Sequence, residues 1–248
     1  MLAAEGMTEE EVLDGLPYDS ARAPEDDSST PDARRYRDYK HVCGQVGLLY
    51  ENDEGRIELT DLGRATGRWL DDLNAGNLAV FGRHAAFALA ACQLRNPTRA
   101  GRKYAEAVEV FPFAFIWRAM LALDGMIASH ELNREIFRVT NEDELEQAIQ
   151  KLRFVRRTER RELLAEETIT GSKNNDRIIP WVAAAGFGWL LIGRKRAGET
   201  GDHYEIRPQV YRIVEQAARI RYPHRTFSDV SDYVAHISRA AALPEDMR

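Results

Sequence analysis

Cysteine is scarce: the 248 residues contain two, Cys43 and Cys92, with no CxxC spacing and no Cys/His cluster. That excludes a disulfide framework and structural zinc, and it fits a reducing cytoplasm. Long apolar runs are missing as well. No stretch approaches the roughly 20 residues that a membrane helix needs, so a soluble globular chain with no membrane partner is expected. Residues 1–11 are acidic and lack a basic segment followed by an apolar one, which predicts no signal peptide. The six histidines show no HxxxH or HNH-like spacing, so no metal site is indicated. Residues 63–67 (GRATG) lack the Lys-Ser/Thr end of a phosphate loop, and no GxSxG elbow is present. No catalytic residue, metal or cofactor is assigned.

Positive charge is in deficit overall: 34 Lys and Arg face 40 Asp and Glu, a net charge of -6. The deficit is local. Residues 1–30 hold nine acids against one base, Arg22, so the remaining chain carries +2. Local fields govern encounter with a charged partner, and the net acidity argues only against tight DNA binding through charge alone.

What is present is a glycine-led hairpin, twice. The first runs Val46-Gly47-Leu48-Leu49-Tyr50, a polar turn over Glu51 to Gly55, then Ile57 to Gly63. The second runs Phe187-Gly188-Trp189-Leu190-Leu191, a longer turn over Arg194 to Asp202, then Tyr204 to Pro208. Each follows a helical stretch that ends at its glycine, where a left-handed C-cap redirects the chain. Each precedes another helix.

Helix signals fill the rest. Thr8 and Glu11 form a capping box for a short helix over 8–15. Residues 17–30 read as a loop, and Thr30-Pro31 opens a helix whose apolar positions are Tyr36, Tyr39, Val42 and Val46. Further helices are expected over 62–73, 77–94, 111–123 (entered at Pro112), 129–139 (capped by Ser129) and 208–221. Asn141 is expected to cap a long charged helix reaching Glu166, and a last helix falls near 228–241. The expected fold is mainly α with short β-hairpins.

Helix, glycine cap, hairpin and helix is the plan of a winged-helix module, whose pre-hairpin helix enters the major groove while the wing touches phosphate or the minor groove. On that plan Arg34, Arg35, Arg37 and Lys40 are the first candidate contacts. The first turn (Glu51 to Gly55) is acidic and would repel phosphate. In the second module Lys173, Asn174, Asn175 and Arg177 stand before the reader helix. Asn matches the donor and acceptor of adenine. Arg194, Lys195 and Arg196 supply a basic wing for phosphate. A third basic cluster (Lys151, Arg153, Arg156, Arg157, Arg160, Arg161) is interleaved with Glu159, Glu162, Glu166 and Glu167, and pairing within its own helix is expected. The run Phe111, Phe113, Phe115 and Trp117 reads as core.

LTDLGRATG (59–67) resembles the post-wing LT-x-LG segment of bacterial and archaeal winged-helix proteins. FPFAFIWRAMLALDGMIASHEL (111–132), with LRFVRR (152–157) ending the next helix, is similar to the recognition region of certain type IIS restriction endonucleases. Those enzymes add a PD-(D/E)xK nuclease domain. Pro31-Asp32 and Asp38-Tyr39-Lys40 carry its residue types with far too short a gap and along one helix, so no catalytic residue transfers. The resemblance implies two winged-helix modules joined by a helical middle. The expected segments are 1–75 with an acidic leader, 76–125, 126–221 and a tail over 222–248. It further implies double-stranded DNA recognition in a restriction or phage-defence system. The acidic total equally fits tandem winged-helix subunits that bind a kleisin-type partner in chromosome-organising or plasmid-defence complexes. A transcription regulator is the third expectation, and a divergent endonuclease has no residue constellation behind it.

Overall fold

A computed structural model describes residues 5–14, 40, 43–44, 47–66, 76–97, 109–166, 191–195 and 202–241. Its core is built on the most apolar stretch of the chain. Helix α3 (Pro112–Ala122) starts with proline in its first turn, and Pro112 to Trp117, Ala119 and Met120 are all buried. A helix apolar on every side must be wrapped by others. Three do so directly or through one another: α2 (Leu78–Ala90), α6 (Tyr211–Arg219) and α7 (Val230–Ala241). One cluster of buried residues runs from Leu62 through Phe87, Phe115, Trp117, Ile149 and Val214 to Ala241. It crosses the expected segment limits at 75/76, 125/126 and 221/222.

Around this core the chain makes one motif twice. In the first copy, Met7 and Thr8 lie antiparallel to Arg56 and Ile57: Gly6 N donates to Ile57 O and Ile57 N to Met7 O. Helix α1 (Glu9–Asp14) follows at once. Thr8 N donates to Glu11 Oε2 at 2.7 Å and Thr8 Oγ1 accepts from Glu11 N at 3.2 Å, the expected capping box. The hairpin is β1 (Leu49–Glu51) with β2 (Ile57–Leu59), Leu49 facing Leu59. Its turn closes on Asn52, whose Oδ1 accepts from Glu54 N and Arg56 N.

In the second copy, β3 (Met126–Ala128) is the extended segment and α4 (Ser129–Arg134) the short helix. The hairpin is β4 (Leu191–Lys195) with β5 (Asp202–Ile206), and the strand order is β3-β5-β4. Thr8 stands opposite Arg56 as Ala128 stands opposite His203. Glu11 caps Thr8 N as Glu131 caps Ala128 N at 2.9 Å. The correspondence lies in backbone pairing and in one carboxylate three residues on.

Several expectations are corrected. The second hairpin sheet has a third strand, β3. Its strands are displaced from the expected runs, so Arg194, Lys195 and Asp202 belong to strands instead of the turn. The N-cap of α4 is Ala128, not Ser129, because the Glu131 carboxylate takes the free N–H. Asn141 does cap, with Oδ1 accepting from Asp143 N and Glu144 N at 3.1 Å. The helix it opens, α5 (Leu145–Thr158), stops well before Glu166, at Glu159 with φ 56°. The expected cap at Gly188 lies outside the described residues. That at Gly47 is present: φ is 71°, Gly47 N donates to Gly44 O and Leu48 N to Cys43 O, both 2.9 Å.

Candidate nucleic-acid interface

Helix α5 stands between α4 and the hairpin strands in the chain, and its sequence divides it into two faces. Leu145, Ile149, Leu152 and Val155 recur at helical spacing and are buried against the core. Gln147, Gln150, Phe154 and Arg157 fall on the opposite, exposed side. Phe154 and Val155 are neighbours, so only one can face inward; the period selects Val155. Phe154 is 40% exposed, the one exposed large apolar side chain among the described residues. The Arg157 guanidinium carbon lies 5.7 Å from its ring centroid, a cation–π arrangement.

The flanks of α5 tie it down. The Arg156 guanidinium makes a fork on Glu131 (2.8 and 2.6 Å) and donates also to Leu123 O and Met126 O. Arg153 donates twice to Ala122 O, at the carboxyl end of α3 where cations are favoured. Lys151 meets Glu135 at 2.7 Å. The basic cluster therefore pairs mainly across elements, with α4 and with the end of α3, and not within its own helix as expected; Arg160 with Glu162 is the local exception. Glu131 and Glu135, one helical turn apart, are the partners that sequence reasoning missed. Burial pushes the Glu131 carboxyl upward, but the Arg156 fork and the Ala128 N–H hold it below its ordinary value.

Charge along α5 is graded. Glu142, Asp143, Glu144 and Glu146 crowd its amino end, which the helix dipole favours, while Arg153, Arg156 and Arg157 occupy the carboxyl half. Glu142 already accepts from Arg118, from Arg221 and from Phe111 N. The cleft of about 600 Å³ beside it thus carries its own anion.

Of the expected contact residues, Lys40 is displaced from its expected role. It is 8% exposed and donates to both Glu9 and Glu51. Burial lowers the ammonium pKa, yet the hydrogen bonds to the two carboxylates outweigh that and raise it. Lys40 braces α1 against β1 instead of facing a duplex. Arg194 and Lys195 are strand residues opposite His203 and Asp202. Arg34, Arg35, Arg37, Lys173, Asn174, Asn175, Arg177 and Arg196 lie outside the described residues.

Among the described residues no three His, Cys, Asp or Glu side chains converge as a metal site, and no helix is long and apolar enough to cross a membrane. No protein-family model matches the chain, and no curated protein matches it significantly.

Proposed function

We propose that this chain recognises double-stranded DNA through its second module, built on α3, β3, α4, α5 and the β4–β5 hairpin. The carrying observation is the order of those elements together with the β3-β5-β4 strand order. The stretch ending at Gly188, expected as the reader helix, lies outside the described residues; among these the order helix, strand, helix, helix, hairpin accords with a winged helix, and α5 is the helix whose outward face is described. Its outward row suits base edges: Gln offers paired groups to adenine, Arg to guanine, and an aromatic ring packs on a thymine methyl. Lys173 to Arg177 and the run Arg194 to Arg196 follow α5 in sequence and add basic and amide side chains of the same chemistry. The restriction or phage-defence setting, with any nuclease on another chain, follows from the resemblance of residues 111–157.

The first module repeats the motif with opposite chemistry. Its turn exposes Glu51, Asp53 and Glu54, and one of its four expected reader cations, Lys40, is held by Glu9 and Glu51, while Arg34, Arg35 and Arg37 lie outside the described residues. That acidity favours a second reading for this half: it docks a protein partner, as kleisin-binding subunits do, and leaves DNA to the other module.

Three sets of variants test the DNA reading by fluorescence anisotropy. Replacing Arg194, Lys195 and Arg196 by Ala should weaken binding to every duplex and lower the salt slope by about 1–3. Arg157→Ala should weaken the preferred duplex roughly 5- to 150-fold, as loss of one bidentate base contact does, and relax specificity at one position. Replacing Asn174 and Asn175 by Ala should alter sequence preference. Uniform loss on all duplexes for the Arg157 and Asn variants would remove base readout from the account.

A further inference from the structure

Two residues on the outward row of α5 stand apart from the rest of it. Gln150 donates to Glu146 at 2.5 Å, and Gln147 sits at the same acidic amino end, which repels phosphate. Past the row's other end, the Thr158 hydroxyl is taken by the Phe154 carbonyl. Phe154 and Arg157 remain, in the carboxyl half of the helix where the basic side chains lie.

Arg157 differs from the cations around it. Lys151 and Arg156 are held by carboxylates on or just after α4, Arg153 by the Ala122 carbonyl and Arg160 by Glu162. Arg157 is exposed and has no hydrogen-bond or ion-pair partner among the described residues. Its contact is the Phe154 ring, whose centroid lies 5.7 Å from the guanidinium carbon. That contact restrains the guanidinium and leaves N–H donors available. Phe154 is itself 40% exposed, so part of its ring stays open to a further apolar group.

We propose that Phe154 and Arg157 act as one reader of a two-base step, a 5-methylpyrimidine next to a guanine. The proposal rests on the DNA reading and narrows it to a substrate class. Three residues rise about 4.5 Å along a helix, close to the roughly 3.4 Å between successive bases on one strand. Two side chains on one helix face can therefore meet adjacent base pairs. The guanidinium donates to guanine N7 and O6, and the ring packs on the neighbouring 5-methyl group. Thymine and 5-methylcytosine both carry that methyl group in the major groove, so the same chemistry has an unmodified and a modified source.

The test uses the full chain and fluorescence anisotropy. Sites are selected from two random duplex libraries, one plain and one with 5-methylcytosine in place of cytosine. The best duplex is then remade without the methyl group, with uracil for thymine or cytosine for 5-methylcytosine. Loss of that group should weaken binding about fourfold, as one buried carbon contributes. Phe154→Ala should bind the two forms equally. Phe154→Leu keeps an apolar contact without the ring, so it should retain the methyl preference. Its preference for guanine at the adjacent pair should fall about two- to fivefold, the worth of an exposed cation–π contact. With the methyl effect present, the library that yields the tighter site identifies the source, thymine or 5-methylcytosine. Saturable binding that ignores the methyl group overturns the step reader and keeps the DNA reading. A methyl preference that survives Phe154→Ala also overturns it, because the methyl group is then read elsewhere. No saturable binding of either library at the lowest salt defeats the DNA reading and the step with it. Circular dichroism of both Phe154 variants guards against loss of fold.

Discussion

Gly63→Ala should disrupt the first hairpin, although alanine is the better helix former. On propensity alone the exchange would stabilise the helical turn over 61–66 by about 1 kcal/mol. The geometry reverses the sign. A Cβ at residue 63 would lie 2.1 Å from the Leu48 carbonyl oxygen and 3.0 Å from its carbon. Both are backbone atoms, held because Leu48 O accepts from Thr60 N at 3.1 Å and Leu48 N donates to Cys43 O. Thr60 fixes the same junction: its hydroxyl donates to Gly47 O at 2.7 Å and accepts from Gly63 N at 3.0 Å. Relief requires moving β1 or the helix, and overpacking of this kind costs about 3 kcal/mol. Net destabilisation of about 2 kcal/mol is expected, with loss of amide protection in β1 and β2 measured by hydrogen exchange. Gly55, with φ 73° and open space around it, is the control: Asn there should be tolerated. Undiminished protection in the Gly63 variant would show that the junction is looser than these distances.

Glu131→Gln should be the most damaging single change in the second module. It keeps an acceptor for Ala128 N but removes the charge that Arg156 is forked on. Breaking a buried pair from one side costs about 3–5 kcal/mol. Arg156 retains two carbonyl partners and a side chain 31% exposed, so about 2–3 kcal/mol is the discounted expectation. In a chain of this size that lowers Tm by about 4–12 °C. The pH dependence has a definite sign. The folded pKa of Glu131 is lowered from 4.5. The stabilisation is therefore complete above pH 4.5 and is lost as pH falls through the depressed folded value. The wild type should lose stability more steeply than the Gln variant across that acid window. Parallel acid profiles would show that the fork contributes nothing measurable.

Local signals were legible in the sequence wherever a residue acts on its own neighbours. The Thr8–Glu11 box, the Gly47 cap, the Pro112 start and the Asn141 cap each involve partners within five residues, and each is found. The segment 59–63 also acquires a physical meaning: Thr60 caps, Leu62 is buried and Gly63 admits the Leu48 backbone. What sequence could not disclose depends on partners far along the chain. Strand β3 is three residues long, too short for an alternating pattern, and it exists because β5 pairs with it some 75 positions later. Lys40 had the composition of a reader residue until Glu9 and Glu51 arrived from α1 and β1. Arg156 and Lys151 had carboxylates close by in sequence, yet the Cβ directions of α5 bring them to Glu131 on α4 and to Glu135 just after its end instead.

The most direct measurement is anisotropy of the full chain with a pool of duplex DNAs, modified and unmodified, across a salt series. The account expects saturable binding, with log K falling linearly with log salt at a slope of about -0.9 for each phosphate engaged. The three basic residues Arg194 to Arg196 should together account for a slope of about -3. No saturable binding at the lowest salt would contradict DNA recognition and leave the acidic first module, and a protein partner for it, as the functional surface.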